Sequence, residues 1–502
     1  MRIVEITKSL VNAGVKLDAG KKYVMAEDVE GQLRATQGDK MGMSYPFESV
    51  YKKYEGQDLT NKSIFIYRTG GLGDIMFLSP VFRYLKKRYP GCTIKVASSC
   101  GQSLENVPEV DALYNMPFDV KLLDGASYVC YFQGILESSS EESKRTHAVD
   151  MFFSYFGIDS LQFPNEDKVP RLYYKKEELD WLKQTLTTIG VKEEHYVIGI
   201  QMESSAPLRN YPKEKFKVII DTLGQEENVK IVLIGTEQQE VVANYYRGNN
   251  PNVLLATRYT VRQAMVLASR YDLVIAPDSF MIQVAGALEK PQIGLYGPFP
   301  SSVRMKYFKN AIGMDPSVVC SPCFKHDFRG CIKGNPSPCF SQLAIDDVLQ
   351  AADYLKAKFT GSHFKYMAPL LRDPNLSEIE QYMMSADKGL AFFPRFFRHP
   401  NIISVDTNPF VKAEISDLST QFPRESYPFV LYFNEIQPKY INLYNNSKNL
   451  VRPGGYFIAY KENSNEQFFN DMKKDIGKDF ALMFSKLDLS TRVSIVVGKK
   501  KY

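Results

Sequence analysis

The chain has 502 residues, 44% apolar and 24% charged, which is the balance of soluble globular domains and excludes a disordered chain. A net charge of +5 permits an anionic partner without requiring one, and seven cysteines, an odd number, argue against a secreted disulfide framework. No apolar run approaches the roughly 18 residues that span a bilayer, and "MRIVEITKSLV" lacks the order of a signal peptide, so a cytoplasmic protein with at most peripheral membrane contact is expected.

Length alone suggests about three domains. Residues 1–58 read as a small β-rich module, in which "VEITKSLVNAGVKLDAGKKYVMA" alternates β-prone runs with turn signals and "AEDVEGQLRATQG" supplies a short helix. From Lys62 the pattern becomes strand ("SIFIYR"), glycine turn, helix ("IMFLSPVFRYLKKRY"), strand ("TIKVASS"), then strand "ASYVCYF" and a helix near "THAVDMFFSYFGI". This spacing predicts a doubly wound α/β domain over 59–180. It restarts over 181–362 with the strands "YVIGIQM", "KIVLIGT", "NVLLATR", "DLVIAPD" and "PQIGLYG", and ends in the helix "AIDDVLQAADYLKAKF". Residues 363–502 form a further α/β unit with strands in "NIISVDTNP", "YPFVLYFNE" and "VRPGGYFIAYKE".

Adjacent α/β domains place ligands at the carboxyl ends of their strands. "RTGGLGD" puts Gly70, Gly71 and Gly73 in the turn after the first such strand and Asp74 at the start of the helix. The turn lacks G-x-G-x-x-G and the Lys-Ser/Thr of a P-loop, so nucleotide hydrolysis is not expected. On residue type alone, Asp74 reads as an acid favoured by the helix dipole. In "QMESSAPLRNYPKEKF", Ser204, Ser205 and Arg209 precede a helix start, a combination suited to a diphosphate. Glu237 follows the strand in "IGTEQQE", where a carboxylate can take ribose hydroxyls, and Asp278-Ser279 follow the strand in "APDSF". A lone Asp-Ser is a common helix cap, and it is the repetition of polar residues at strand ends that favours a site. Cys320, Cys323, Cys331 and Cys339 are spaced C-x2-C-x7-C-x7-C, compatible with a structural zinc site, with His326 as a spare ligand and a reduced cysteine-rich loop as the alternative.

These motifs, with "LIGTEQQE", "ASRYDLVIAPDSFMIQVAGALEKPQIGLYGP" and "CSPCFK", stand in the order and spacing of the family 9 glycosyltransferases, and the resemblance covers about residues 60–360. It implies a GT-B fold, two Rossmann-like domains facing across a cleft, and a heptosyltransferase-like enzyme that moves a sugar from a nucleotide-sugar donor to an acceptor hydroxyl. Residue by residue, Asp74 resembles the general base and Arg209 the phosphate binder. Glu237 resembles a nucleotide ribose contact, and Asp278 and Ser279 the sugar and phosphate contacts. In "DSFMIQ", Phe280 and Gln283 replace a small residue and a His, which puts the usual donor sugar in question, and Tyr211 stands where members commonly have Trp. Inversion then needs a base on the acceptor side and charge neutralisation of the departing diphosphate; with no D-x-D motif, no metal cofactor is expected in catalysis.

The C-terminal unit resembles a degenerate class I S-adenosylmethionine methyltransferase. Asp406 stands at the ribose-binding position and Pro453-Gly454-Gly455 at a turn before the fifth strand, while the glycine-rich first loop is missing. An acceptor- or partner-binding role is expected there. "KGLAFFPRFFRHP" interleaves Lys388, Arg395 and Arg398 with Phe392, Phe393, Phe396 and Phe397, a nucleic-acid pattern whose commoner fate is a packed amphipathic segment. Residues 1–58 also resemble small modules of phage proteins. The acceptor is therefore a bacterial surface glycan or, in a phage enzyme acting in the host cytoplasm, a hydroxylated base in DNA. A non-catalytic glycan- or nucleotide-binding protein on a retired scaffold and a bifunctional glycosyltransferase-methyltransferase are the alternatives.

Overall fold

The computed structural model describes residues 2–12, 15–47, 51–132, 134–136, 144–316, 318, 320–325, 330–334 and 336–362, and further on 389–392, 402–405, 427–433, 448, 451–461, 466–488 and 493–500. The chain divides into two compact units, Met1–Leu343 and Ala344–Tyr502. Among the described residues, no helix is long and apolar enough to cross a membrane.

The first unit holds two parallel sheets. The first runs, in space, Tyr128–Tyr131, Ser63–Arg68, Thr93–Ser98, Ala112–Asn115. Alternate side chains of Ser63–Arg68 serve two different cores, as the two-residue period of a strand requires. Ile64 and Ile66 pack with Val81, Phe82 and Phe152 of the helices Leu78–Arg88 and Ala148–Tyr155. Phe65 and Tyr67 pack with Ile3, Val24 and Phe47 of the N-terminal module. A doubly wound sheet would carry helices on both faces; here the β-rich N-terminal segment replaces one helical layer. That segment is an antiparallel sheet in the order Met41–Pro46, Arg2–Ile6, Lys22–Met25, Phe118–Asp119, and its last strand comes from the α/β region. Residues 1–58 are thus continuous with the domain that follows.

The long helix expected after "RTGGLGD" is two helices, Leu72–Met76 and Leu78–Arg88. Pro80 has no N–H to give the carbonyl of Met76, and the Ser79 hydroxyl donates to that carbonyl instead, at 3.0 Å.

The second sheet is parallel throughout, in the order Val253–Ala256, Val229–Ile234, Tyr196–Gln201, Leu273–Pro277, Gln292–Leu295, Ala311–Met314. Its strands are continuous apolar runs, as expected of strands covered on both faces. Polar contacts join the halves of the unit. Tyr307 donates to Asp150 at 2.6 Å with Lys306 on the same oxygen at 3.0 Å, and Arg262 pairs with Glu178 at 2.6 Å while donating to the carbonyl of Gln102 at 3.2 Å.

The second unit contains the helix Ile345–Thr360 and a six-stranded sheet in the order Ile402–Val405, Gly389–Phe392, Tyr427–Phe433, Val451–Lys461, Val493–Lys500, Phe480–Asp488. Val493–Lys500 is antiparallel to both neighbours. Pro453-Gly454-Gly455 lies inside the strand Val451–Lys461, where the pairing jumps from Tyr427↔Val451 to Phe429↔Tyr456, so this triplet forms a bulge and not the expected preceding turn. Phe392 ends the strand Gly389–Phe392. Asp406, Lys388, Phe393, Arg395, Phe396, Phe397 and Arg398 lie outside the described residues.

Candidate active site

In each parallel sheet of the first unit the strand order reverses once, between Tyr128–Tyr131 and Ser63–Arg68 in the first and between Tyr196–Gln201 and Leu273–Pro277 in the second. Such switch points are where chain connections leave in opposite directions and open a crevice at the carboxyl ends of the strands. Asp74, Arg209, Asp278 and Ser279 stand at these two places.

At the first switch point, Arg68 ends its strand with a side chain only 1% exposed. One arm of the guanidinium donates to the carbonyl of Phe132 at 2.7 Å, beyond the neighbouring strand, and the other donates to Asp74 Oδ2 at 3.0 Å. Asp74 lies in the first turn of Leu72–Met76 and is 32% exposed, so a buried cation holds a carboxylate that still meets solvent. Gly71 makes this possible: its φ is +83°, and a Cβ there would overlap the Asp74 carboxylate. Gly73 is required by a second approach, since a Cβ would lie 3.0 Å from Cγ of Gln283 and 3.8 Å from Cα of Phe280. Gly70 has open space on its Cβ side.

The helix Phe280–Ala287, which carries Phe280 and Gln283, opens at the second switch point. Asp278 and Ser279 precede it, and the cap expected of them is not the one found. The Ser279 hydroxyl donates to Oε1 of Gln201 at 2.7 Å, and the same oxygen accepts from the backbone N–H of Met281 at 3.2 Å. Gln201, at the end of its strand, thus caps the helix from outside. Arg209 donates to the backbone carbonyl of Asp278 at 2.9 Å and to the Ser205 hydroxyl at 3.1 Å, so Ser205, Arg209, Asp278 and Ser279 form one cluster. The Asp278 side chain is buried, with Arg209 and Arg304 each 3.8 Å from Oδ2. Burial first, with the Asp278 charge adding to it, pushes the Tyr296 phenol well above its usual range, so it keeps its proton. Gln283 is 6% exposed and its Oε1 has no hydrogen-bond partner.

Other motif residues stand apart from this cluster. The Ser204 hydroxyl is used within its own loop, donating to the Ala206 carbonyl at 3.1 Å. Glu237 is exposed, in a turn beyond Val229–Ile234 whose shape comes from Gln239, which accepts from Thr236 N–H at 2.9 Å and donates to Glu203 at 2.8 Å. Tyr211 is a core residue whose hydroxyl donates to the carbonyl of Leu343 at 2.9 Å. Cys320, Cys323, Cys331 and Cys339 are free thiols, and among the described residues no three His, Cys, Asp or Glu side chains form a metal-holding group. Burial pushes the Cys339 thiol up, with Cys323 and Cys331 adding to the effect. His326 lies outside the described residues. Sequence motifs did not single out Arg68, Gln201, Tyr296 or Arg304; the basic residue ending "SIFIYR" is the one whose position beside "GGLGD" carries a signal.

Residues 134–331 match Glycosyltransferase family 9 (heptosyltransferase). The chain carries a family 9 glycosyltransferase domain. The lipopolysaccharide heptosyltransferase 1 of Campylobacter coli is 23% identical over 289 residues, covering 47% of this chain and 84% of that protein. The lipooligosaccharide heptosyltransferase 2 of Haemophilus ducreyi is 21% identical over 304 residues, 50% of this chain and 87% of that one. Among solved structures, the family 9 glycosyltransferase of Veillonella parvula superposes with a TM-score of 0.48 at 17% identity, over 60% of this chain and 99% of that one. The matched segment contains Ser205, Arg209, Asp278 and Ser279, while Arg68 and Asp74 precede it.

Proposed function

We propose that this protein is an inverting glycosyltransferase that moves a sugar from a nucleotide-diphosphate donor to a hydroxyl of a bacterial surface glycan. The region of the first parallel sheet serves the acceptor and that of the second the donor. The observation that carries this is the contact of Gly73 with Gln283 and Phe280, which brings the Asp74 turn against the helix that starts at Ser279.

The chemistry follows from what the two sides can supply. Asp74, held by Arg68, accepts the proton of the acceptor hydroxyl as the hydroxyl oxygen bonds to the anomeric carbon. The bond from that carbon to the donor phosphate breaks on the opposite face, and its electron pair leaves on the phosphate oxygen. The Arg209 guanidinium and the first-turn N–H groups of Phe280–Ala287 meet that growing charge, so the residues themselves supply a metal-independent route. Ser205 and Ser279 orient the phosphates, and Gln283 offers its side-chain carbonyl to a sugar hydroxyl where relatives commonly have His. Glu237 takes the nucleoside ribose from the rim.

The acceptor class is carried over from the curated relatives, which are named for lipopolysaccharide and lipooligosaccharide. Such an enzyme draws its donor from the cytoplasm. The cysteine segment serves as a structural zinc site, which metal analysis of the purified protein tests, and the second unit holds acceptor or partner. A thermal-shift screen of nucleoside diphosphates and nucleotide sugars tests the central assignment, because a ligand of the native state raises apparent stability. A rise with one nucleotide series supports it; no rise with any of them overturns it.

A further inference from the structure

The donor side holds a cation that none of the sequence motifs includes. Arg304 ends the short helix Ser301–Arg304, which is pinned to the end of the neighbouring strand: the Ser301 N–H donates to Asp315 Oδ1 at 2.9 Å, and its hydroxyl donates to the other oxygen of the same carboxylate. The Arg304 guanidinium lies over the ring of Phe299, 4.4 Å from its centroid, and is only 25% exposed. Its Nε is 3.8 Å from Asp278 Oδ2, the oxygen that Arg209 approaches at the same distance from the other motif.

These distances are too long for hydrogen bonds. Asp278 Oδ2, Arg209 Nε and the Tyr296 hydroxyl are all buried without hydrogen-bond partners. An ion triad built only for structure gains most by closing to hydrogen-bond distance, because a buried unsatisfied polar group is costly. This one stays open. Two guanidiniums flank one carboxylate next to a helix N-terminus, so the set keeps a surplus positive charge and unspent donors.

We propose that Arg304 is a second cation for the donor's leaving group, gripping the diphosphate together with Arg209 beside Asp278. The inference rests on the glycosyltransferase reading and adds to it a residue and a selectivity, diphosphate over monophosphate. As the anomeric C–O bond breaks and its electron pair stays on the phosphate oxygen, the nucleoside diphosphate gains one negative charge. Arg304 neutralises part of that charge and exchanges no proton or bond. A planar fork that stacks on Phe299 suits this task better than an ammonium point charge.

The test is isothermal titration of the full chain with ADP, UDP and GDP and with the matching monophosphates, for the wild type, Arg304→Met and Arg304→Lys. The wild type is expected to bind one diphosphate more tightly than its monophosphate. Arg304→Met is expected to weaken diphosphate binding by roughly 10- to 100-fold, the range for charge-assisted hydrogen bonds, and monophosphate binding far less. Arg304→Lys is expected to recover part of the loss, with the melting temperature without nucleotide held by both variants. Equal losses for diphosphate and monophosphate, or no loss, would overturn the role of Arg304. A wild type that binds no nucleoside diphosphate would overturn the glycosyltransferase reading itself.

Discussion

Arg68 donates to Asp74 Oδ2 at 3.0 Å from a side chain that is sealed from solvent and tied at its other arm to Phe132. The exposed end of a buried ion pair is the carboxylate, which fixes where Asp74 points while leaving it open to a hydroxyl. In Arg68→Met the carboxylate loses this hold. Turnover is expected to fall about 100-fold, the scale of a misplaced reacting group, while nucleoside diphosphate affinity stays within about threefold. Equal loss of both would make Arg68 a general support of the fold.

Gly71→Ala tests the same carboxylate from its other side. The new Cβ must sit at φ +83° and displace Asp74. A stability loss of about 1–2 kcal/mol is expected from the left-handed backbone, together with a collapse of turnover far beyond that loss. Gly70→Ala, which meets open space, should retain activity.

Gln201→Leu removes the oxygen shared by the Ser279 hydroxyl and the Met281 N–H. Loss of a helix cap costs about 1 kcal/mol, readable in urea unfolding. Because Ser279 loses its anchor as well, diphosphate binding should weaken in the same variant. Unfolding unchanged from wild type would count against the cap.

Stability should fall as the solution is acidified. Burial holds the His147 imidazole down to about 3, against the opposing pull of Asp150. In the unfolded chain it titrates near its ordinary value of about 6.5. The folded value is the lower one, so between these the unfolded state binds the extra proton. Stability is complete above about pH 6.5 and declines toward about pH 3 by up to about 1.4 kcal/mol per pH unit. Asp150 adds a further decline lower still, since its burial is outweighed by hydrogen bonds from Tyr307, Ser160 and Lys306 that hold it below the usual carboxylate range. Urea midpoints at pH 7 and pH 5 check this: His147→Asn should show the smaller drop, and equal drops would refute it.

Much of the first unit is legible in the sequence because its strands are apolar runs bounded by polar turns, and strand ends are where sites form. "SIFIYR" announces a strand buried on both faces, but nothing in it says that Phe65 and Tyr67 face the N-terminal module rather than a helix. The short strands Ala112–Asn115 and Ala311–Met314 have too few residues to show a period. At the site, Asp74, Arg209 and Asp278 stand out because they follow strands in familiar motifs. Gln201 does not, because its capping contact spans 78 residues. Arg304 escapes notice because its partners Phe299 and Asp278 meet it only after the chain has turned past the last motif.

The most direct test is the turnover of Asp74→Asn against wild type, measured as nucleoside diphosphate released from the nucleotide sugar the wild type accepts. Lipopolysaccharide core and DNA with hydroxylated bases are offered as acceptors. Asn keeps the shape and can still accept from Arg68, but it cannot take a proton at neutral pH. A loss of roughly 100- to 10,000-fold with unchanged diphosphate binding is expected, the scale of a general base. Turnover equal to wild type would contradict the account.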